Sequence, residues 1–462
     1  MTQAPERWEW RRYPEAETLV VDRVTRFVQA MPQVQALQAA LLARTSSRLV
    51  DWLDHLVLAG GDVPRGQLAD LGFEVEDDVP TGAGDTAYHH PGAILPRLVL
   101  RPGTAMAPGE VVAAAIQVEN AHHFLMTHHV ATSIEGTPLS PYRRARVWQA
   151  DGREFLVVER RGHRGFVPLD MPPDYAQRYL RAVERWATRP RRFDDAREGM
   201  AHTLKLAQSL VSEMGTDTTA RIAFEAERAY WQRRNRAGQV QKARQETLGL
   251  GWANHDHHTF RSSRDVFALL VQILETFGFY PRERFYAGAE AGWGAQVMEQ
   301  PVCRLAVFAD VDLSPDEVDG DLAHQPLSVR RELSTVGLWC ALHGESMLDA
   351  GLHHLAGRFD FDTATDALAE WGVKMMRPFS EFSYLRQAFT QGERWEVAPE
   401  RLERLAAAGQ IDEAQRARFA EKGAVGSHVE NIQRGEGFKG FNQQTVSDII
   451  RRTDPRTGFD AA

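Results

Sequence analysis

Cysteine is scarce in this sequence, which has only Cys303 and Cys340 among its 462 residues. Two cysteines in so long a chain provide neither a disulfide framework nor a zinc site built on thiolates, so a bound metal would depend on histidine and carboxylate side chains. Long apolar runs are also lacking. No segment approaches the ~20 residues of a membrane-spanning helix, and the first residues, MTQAPERWEWRRYPEAE, contain no apolar stretch typical of a secretory signal. We therefore expect a cytoplasmic protein that does not enter a membrane.

An excess of positive charge is likewise absent. The chain carries 54 Lys and Arg residues against 63 Asp and Glu, for a net charge of −9, and the two signs are interspersed. Without a basic face to attract phosphate groups, nucleic acid is excluded as an expected partner, and a small-molecule substrate is favoured. Hydrophobic residues make up 43% of the chain and charged residues 25%, which is ordinary for a folded protein. The sequence makes no prediction about oligomeric state.

The length of the chain exceeds what one hydrophobic core usually organises, so we expect several domains. Residues 1–172 predict an N-terminal α+β domain, with apolar residues at helical spacing over 19–45 and an alternating strand in RLVDWLDHLVLAG. Residues 173–246 are charged and favour helices, which predicts a helical connector. Residues 247–462 change in character and predict a metal-binding catalytic domain.

Two segments of this last region can be aligned as an internal repeat. Each has the pattern of a strand, an amphipathic helix and then two or three alternating strands. The first copy runs through NHDHHTFR, SRDVFALLVQILETFGF, RERFYAGAEAGWGAQVMEQ and RLAVFADVDLSP. The second runs through LHHLAGRFD, TATDALAEWGVKMM, FSYLRQAFTQGERWEV and GSHVENIQRG, with a charged helix before its last strand. Two βαβββ modules that pack together form an incomplete barrel, so the expected fold class is α+β.

Three of the predicted strands carry a candidate metal ligand four positions before an arginine. These pairs are His257 and Arg261 in HHTFR, His354 and Arg358 in HLAGR, and Glu430 and Arg434 in ENIQR. Residues i and i+4 of a strand share one face and lie ~13 Å apart at ~3.3 Å per residue, so each arginine would enter the same cavity as its ligand. The pattern predicts a metal surrounded by guanidinium groups and hence an anionic substrate.

Two imidazoles and one carboxylate leave coordination positions open on a metal ion, where a substrate and dioxygen can bind together. The absence of thiolates and the oxygen donors of the expected substrate favour Fe(II), with Mn(II) or Co(II) as substitutes, while zinc tolerates the same ligands. Neighbouring histidines compete for these positions: His255 and His258 with His257, and His343 and His353 with His354. Strand alternation predicts that His258 and His353 point away from the ligand face.

At these motifs the chain resembles the 2-oxoadipate dioxygenase/decarboxylase family, also called D-2-hydroxyglutarate synthase, which has a vicinal-oxygen-chelate-like fold. HHTFR is similar to the family's first metal-ligand motif, HHLAGRFDFD to the segment with its second histidine ligand, and ENIQRG to its glutamate segment. LRQAFTQG, GFYPRERFY, VFADVDLSP and GFKGFNQQTVSDII resemble further family segments. The resemblance covers residues 248–450 and leaves the N-terminal domain without a counterpart.

The resemblance implies Fe(II) ligation by His257, His354 and Glu430, which with Arg261 would be the catalytic residues. Arg261 would bind a substrate carboxylate, a role suited to a planar guanidinium that can donate two charge-assisted hydrogen bonds. Further substrate contacts are assigned to Arg358, Arg434, Gln387 in LRQAFTQG, and Asn442, which with Phe441 lies nearest to the family's C-terminal substrate contacts.

The implied reaction is the oxidative decarboxylation of a 2-oxo acid by dioxygen, with 2-oxoadipate giving 2-hydroxyglutarate and carbon dioxide. Two alternatives stay open. One is a related metal-dependent oxygenase of secondary metabolism that acts on another acid or amino acid. The other is a non-catalytic protein that binds a metal or a ligand.

The N-terminal region predicts a weaker, third copy of the module in LDHLVLAGG, PRGQLADLGFEV, AILPRLVLRP and EVVAAAIQVE. A second metal site there would draw on His55, Glu119 and one of His122, His123, His128 or His129. Ala59 stands four positions after His55, so the arginine of the C-terminal pattern is missing. A structural or substrate-shaping role is therefore favoured for this domain.

Overall fold

Two mixed β-sheets, with helices packed against them, contain most of the regular structure of the chain. The structure is a computed structural model that describes residues 10–289, 291–318, 320–442 and 454–456. Residues 443–450 of the segment GFKGFNQQTVSDII lie outside these ranges. No helix in the described ranges is long and apolar enough to cross a membrane.

The N-terminal sheet is built from eight strands in the described part of the chain. They are β1 (Leu53–Ala59), β2 (Glu74–Val75), β3 (Thr86–His89), β4 (Arg97–Arg101), β5 (Val111–Gln117), β6 (Ile134–Glu135), β7 (Tyr142–Ala150) and β8 (Arg153–Arg160). The helices of this region are α1 (Pro14–Gln29), α2 (Pro32–Ala40), α3 (Asp62–Asp70) and α4 (Ala121–Thr127). The strand order is β2-β3-β4-β1-β5-β8-β7-β6, which places β1 and β5 at the centre, where long apolar runs are expected because both faces are covered.

The apolar pattern over 19–45 forms α1 and α2 in place of one continuous helix. Pro32 occupies the first turn of α2, a position that proline favours because no backbone donor is needed there. The segment RLVDWLDHLVLAG is only partly a strand, since Leu49–Trp52 form a short helical turn before β1 begins.

Four helices connect the two sheets: α5 (Tyr175–Ala187), α6 (Ala196–Met214), α7 (Thr216–Gln232) and α8 (Arg236–Glu246). The C-terminal strands are β9 (His255–Arg261), β10 (Tyr280–Tyr286), β11 (Trp293–Gln300), β12 (Leu305–Asp312), β13 (His354–Arg358), β14 (Ser380–Phe382), β15 (Leu385–Phe389), β16 (Glu393–Trp395) and β17 (Ala424–Arg434). The helices among them are α9 (Phe267–Thr276), α10 (Thr335–His343), α11 (Phe361–Ala369), α12 (Pro399–Ala407) and α13 (Glu413–Lys422).

The C-terminal sheet repeats the strand order of the N-terminal sheet. Its path is β10-β11-β12-β9-β13-β17-β15-β14, with β16 paired to β17 off this path. In each sheet two βαβββ modules meet through antiparallel first strands, β1 with β5 and β9 with β13. Each first strand also pairs in parallel with the last strand of its own module. The predicted α+β fold with paired modules of the vicinal-oxygen-chelate type is confirmed.

The N-terminal region contains two modules where the sequence predicted one degenerate copy. The segment EVVAAAIQVE, expected as the last strand of that copy, contains β5, and β5 begins a second module with α4 and β6–β8. The second module escaped detection because α4 has seven residues and β6 only two, too short for a clear periodic pattern.

The connecting helices α5–α8 pack on the C-terminal sheet. Trp186 of α5 and Phe224 of α7 share one hydrophobic core with Leu270 of α9 and Val307 of β12. The helix-facing side of the C-terminal sheet is therefore filled mainly by apolar side chains. The boundaries at residues 172 and 246 stay predictions.

Asp54 in β1 is a buried carboxylate whose ion pairs stabilise the N-terminal sheet. Arg160 donates from Nε to Oδ1 over 2.6 Å and from Nη2 to Oδ2 over 2.7 Å, and Arg304 lies 3.3 Å from Oδ1. Burial would raise the pKa of Asp54, but the two guanidinium groups hold it well below its usual range. We expect Asp54→Asn to lower the free energy of unfolding by about 3–5 kcal/mol, because Arg160 remains buried without its counter-charge.

The pH dependence of unfolding distinguishes this pair from a surface pair. Because the pKa of Asp54 is depressed in the folded state, its stabilisation is present above the unfolded value of about 4 and is lost as pH falls below it. Urea denaturation should therefore separate wild type from Asp54→Asn at neutral pH and bring them closer at low pH. The control Asp362→Asn breaks an exposed pair with Arg386 and is expected to cost under about 1 kcal/mol. Equal losses in the two variants would contradict the assignment.

Candidate metal centre

Strand β9 carries polar side chains through the interior of the protein. All seven residues of its sequence, HDHHTFR, are buried, although five of them are histidine, aspartate or arginine. Buried polar groups need hydrogen-bond partners or a bound ion, so each of these five side chains should contact a polar partner or an ion.

His257, His354 and Glu430 lie together on the three neighbouring strands β9, β13 and β17. Nε2 of His257 is 3.1 Å from Oε2 of Glu430, and Nε2 of His354 is 3.2 Å from the same oxygen. The two Nε2 atoms are 3.3 Å apart. Among the described residues this is the single group of three such side chains that could hold a metal ion.

Strand register explains why residues so far apart in sequence meet. His354 pairs with Thr259, two residues beyond His257, and Ala356 pairs with Glu430. The three side chains therefore project from adjacent strands toward one point, and each ligand is fixed by a sheet rather than by a loop.

The three groups share charge in a way that favours a bound cation. Burial would lower the pKa of His257, but the Glu430 carboxylate and Asp256 raise it to about 9. Burial would raise the pKa of Glu430, but the two histidines lower it to about 2. Burial lowers the pKa of His354 despite the opposing effect of Glu430. Glu430 is therefore a carboxylate anion that stabilises a positive charge next to it. In the metal-free site that charge is on the protonated ring of His257.

Asp256 orients His257 from behind. Its Oδ1 lies 3.1 Å from Nδ1 of His257, so Nε2 faces Glu430 and His354. Arg434 donates to both Asp256 oxygens, at 2.8 and 2.9 Å, and Arg358 donates to Oδ2 at 3.2 Å. A further N–H group of Arg434 binds the carbonyl oxygens of Phe438 and Gly440. Two of the arginines in the ligand-arginine pattern are therefore occupied by one carboxylate.

We expect Asp256→Asn to raise the dissociation constant for Fe(II) or Co(II) by about 10- to 100-fold, because the amide is a weaker acceptor for the His257 N–H. Anaerobic metal titration of the folded variant measures the effect. Asp360→Asn is a suitable control because Asp360 caps α11 in the same domain and asparagine caps helices equally well. Unchanged metal affinity in Asp256→Asn would show that His257 is oriented by other contacts.

Arg261 differs from the other two arginines because it is buried without a full set of partners. Among the described residues no group accepts a hydrogen bond from its Nε or Nη1. Asp310 is the nearest carboxylate in the described ranges, with its Oδ2 3.8 Å from Nε of Arg261, and no described residue donates to its Oδ1. The guanidinium lies 5.5 Å from the centre of the Trp339 ring. Burial raises the pKa of Asp310 to about 7 although Arg261 opposes the shift, so Asp310 compensates the cation only in part.

Of the remaining predicted contacts, Gln387 meets a candidate ligand directly and Asn442 does not. Gln387 donates from Nε2 to Oε1 of Glu430 at 2.8 Å, which leaves Oε2 facing the histidines. Asn442 donates from Nδ2 to the carbonyl oxygen of Phe379 at 2.7 Å. Aromatic rings line the site, with Phe308 and Phe441 each 5.0 Å from the His257 ring and Phe389 5.1 Å from His354.

The competing histidines take other positions. His255 binds the carbonyl oxygen of Trp252, and His258 binds Arg228 of α7, so both face the connecting helices. A one-residue bulge in β9 opposite Leu355–Gly357 puts His255 on the same side as His258 and breaks the expected alternation. His343 binds the carbonyl oxygen of Val425.

His353 and His428 form a second layer beside the ligands. Alternation predicted His353 on the far face, yet its Nδ1 is 3.2 Å from Nδ1 of His354. His353 precedes the first residue of β13, where regular alternation ends, although its backbone still bonds to Thr259 and His428. His428, which sequence reasoning missed, packs 5.3 Å from His353 and 5.2 Å from Phe389. Its position two residues before Glu430 on the same strand was the available signal. Asp256 and Asp310 were also missed.

The side chains considered for a second metal site are dispersed. Nδ1 of His55 lies 2.6 Å from Oδ2 of Asp54, whereas Glu119 accepts from Lys242 at 2.5 Å. His122 and His123 are exposed on α4, and His128 contacts the carbonyl oxygen of Leu248. These residues do not form a metal-binding group in the described part of the chain.

No family model and no curated protein matches the chain. Solved structures similar to it include a mutant 4-hydroxymandelate synthase from Streptomyces coelicolor, at 13% identity and TM-score 0.26, over 88% of this chain and 97% of that one. A xylose isomerase-like TIM barrel/4-hydroxyphenylpyruvate dioxygenase fusion protein matches at 13% identity and TM-score 0.24, over 90% and 54%. Methylmalonyl-CoA epimerase from Mycobacterium tuberculosis matches at 13% identity and TM-score 0.22, over 39% and 87%. The fold assignment rests on the strand order described above.

Proposed function

We propose that this protein is an Fe(II)-dependent dioxygenase that oxidatively decarboxylates a 2-oxo carboxylic acid, with 2-oxoadipate as the leading candidate. The observation that carries the proposal is a buried group of two imidazoles and one carboxylate in the same half of the chain as a buried, incompletely paired arginine. The three ligands fit a metal that must keep open positions, and Arg261 fits a substrate that carries a carboxylate.

The donor spacing fits three ligands of one metal ion. With bonds of about 2.1 Å, such donor atoms lie about 3.0 Å apart around an octahedral ion and about 3.4 Å apart around a tetrahedral one. The separations among His257, His354 and Glu430 are 3.1–3.3 Å. With three protein ligands, a six-coordinate ion such as Fe(II) would keep positions open for substrate and dioxygen.

When bound, Fe(II) would supply the open positions and the redox chemistry that dioxygen activation needs. The chain would supply orientation, charge and exclusion of water. Arg261 would bind the carboxylate of the substrate that is remote from the 2-oxo group and so fix its direction. Gln387 keeps one Glu430 oxygen occupied, and the rings of Phe308 and Phe441 pack against His257 and limit access of water.

The test is oxygen consumption by the full chain after anaerobic loading with Fe(II). With 2-oxoadipate we expect one dioxygen consumed and one carbon dioxide released for each 2-hydroxyglutarate formed, which balances the reaction. Protein loaded with Zn(II) is the matched control, because zinc takes the same ligands but has no redox chemistry. Turnover of another 2-oxo acid alone would change the substrate. No oxygen consumption with any 2-oxo acid, in protein that binds iron, would contradict the proposed function.

A further inference from the structure

A cavity of about 260 Å³ lies in the N-terminal sheet, lined by residues of β1, β4, β5, β6, β7 and β8 and the loops beside them. It lies in the N-terminal half of the protein, which takes no part in the proposed oxygenase reaction. Its volume lies just under the range of about 300–1,000 Å³ that holds drug-sized ligands, so it suits a smaller metabolite.

The cavity is the N-terminal counterpart of the metal centre. Asp54 and His55 in β1 correspond to Asp256 and His257 in β9, and both strands carry a one-residue bulge at this point. Nδ1 of His55 contacts Asp54 at 2.6 Å, and Asp54 is held by Arg160, the last residue of β8. Arg434, the last residue of β17, holds Asp256 in the same way. The support that orients a metal-binding histidine is therefore present twice.

The other two ligand positions are apolar in the N-terminal sheet. Ala113 pairs with Val57 as His354 pairs with Thr259, so alanine stands at the second ligand position. Leu156 pairs with Ala115 as Glu430 pairs with Ala356, so leucine stands at the third. Ala113 and Leu156 both line the cavity. One imidazole with two apolar neighbours does not hold a metal. The side chains of His55, Ala113 and Leu156 instead form a cavity floor that is apolar except for one ring nitrogen.

That polar atom is an acceptor. Because Nδ1 of His55 faces Asp54, the free nitrogen of the neutral ring is Nε2, and His55 is part of the cavity lining. Burial lowers the pKa of His55 although Asp54 opposes the shift, which keeps the ring neutral at physiological pH. The ring of Phe166, also in the lining, packs 4.8 Å from His55. A flat apolar group that ends in an O–H or N–H donor would satisfy this floor.

Charged residues of the lining are paired one to one. Asp85 pairs with Arg101 at 2.9 Å, Glu135 with Arg144 at 2.8 Å, and Glu154 with Arg146 at 2.8 Å. The arginine side chains are 29–52% exposed, so each keeps N–H groups that solvent or a ligand can reach. Equal numbers of both signs disfavour a strongly anionic or cationic ligand and suit a molecule that carries one charge of each sign.

We propose that this cavity binds a zwitterionic α-amino acid whose side chain has an apolar ring and a terminal hydrogen-bond donor. The ring would lie against Leu156 and Phe166, and its donor would meet Nε2 of His55. The ammonium and carboxylate groups would lie among the paired charges of Arg101, Arg144 and Arg146. The site is independent of the proposed oxygenase chemistry and needs no metal.

Isothermal titration of the full chain with L-tyrosine, L-phenylalanine and 3-(4-hydroxyphenyl)propionate tests the proposal. We expect L-tyrosine to bind about tenfold more tightly than L-phenylalanine, which lacks the donor to His55. The propionate, which lacks the ammonium group, should also bind more weakly. In His55→Phe the preference for L-tyrosine over L-phenylalanine should disappear.

Two further variants locate the site. Leu156→Trp fills the cavity with an apolar ring and should abolish binding of L-tyrosine, with circular dichroism and melting temperature confirming that the variant folds. Glu430→Ala, which removes a ligand of the metal centre, should bind L-tyrosine as wild type does, so failure of the oxygenase proposal leaves this one testable. Absence of millimolar binding by either amino acid, unchanged binding in Leu156→Trp, or tighter binding of the propionate would each overturn the proposal.

Discussion

Glu430→Ala is expected to raise the dissociation constant for Fe(II) by more than about a hundredfold and to abolish oxygen consumption with the proposed substrate. Loss of a supporting group typically costs 10- to 100-fold in metal affinity, and loss of a ligand should cost more. Glu430 is also the only carboxylate in the group and contacts both histidines, at 3.1 and 3.2 Å. Without it, two imidazoles face each other with no anion to hold a cation between them.

The same loss is expected for His257→Ala and His354→Ala. Iron content after anaerobic reconstitution and gel filtration measures it, with circular dichroism as the check on folding. His255→Ala is the matched control, since His255 is a buried histidine of the same strand that binds the Trp252 carbonyl on the helix side. Its iron content should equal that of wild type. Full iron binding by all three ligand variants would show that the metal lies elsewhere.

Arg261→Ala should lower kcat/KM for the 2-oxo acid by about a thousandfold while iron content stays unchanged. A hydrogen bond to a charged group contributes about 1.5–3 kcal/mol, and a guanidinium can donate two of them to one carboxylate. The Nε and Nη1 groups have no acceptor among the described residues, so each edge of the guanidinium keeps an N–H group that can donate to a bound anion. Arg261→Lys should recover only part of the loss, because an ammonium group cannot donate in the same planar arrangement.

Steady-state kinetics with varied substrate, together with iron analysis, measures the effect of Arg261. Arg386→Ala is the control, because Arg386 lies on β15 of the same sheet but pairs with Asp362 at the surface. It should leave kcat/KM within about twofold of wild type. An Arg261→Ala variant with normal kcat/KM would place the substrate carboxylate at another residue.

The positions of polar residues in the predicted strands indicated which side chains would lie together. Each candidate ligand stood four residues before an arginine in its strand. His257, His354 and Glu430 do lie together, as the repeat indicated. The step from ligand to arginine did not reveal what each arginine contacts. Arg358 and Arg434 meet Asp256 because a bulge in β9 turns that aspartate toward them, and no sequence pattern indicates a bulge of this kind.

The second N-terminal module was not predictable for a different reason. Its ligand positions hold Ala113 and Leu156, so no polar pattern marks them, and only the pairing of strands shows their equivalence to His354 and Glu430. The position of His353 was likewise decided by tertiary packing, because it stands just before β13, where alternation assigned it to the wrong face.

β17 lies between β13 and β15 in the sheet, although it is the last of the described strands to be synthesised. During synthesis both histidines emerge long before Glu430, so an unfinished chain presents two imidazoles without their carboxylate. Such a pair follows the intrinsic preference of nitrogen ligands and binds copper or zinc more strongly than iron. Insertion of β17 into the sheet adds the Glu430 carboxylate to the two imidazoles and encloses the group. For the proposed iron site, correct metallation would therefore follow folding, and early capture of a tighter-binding metal would be the hazard that this order of strands creates.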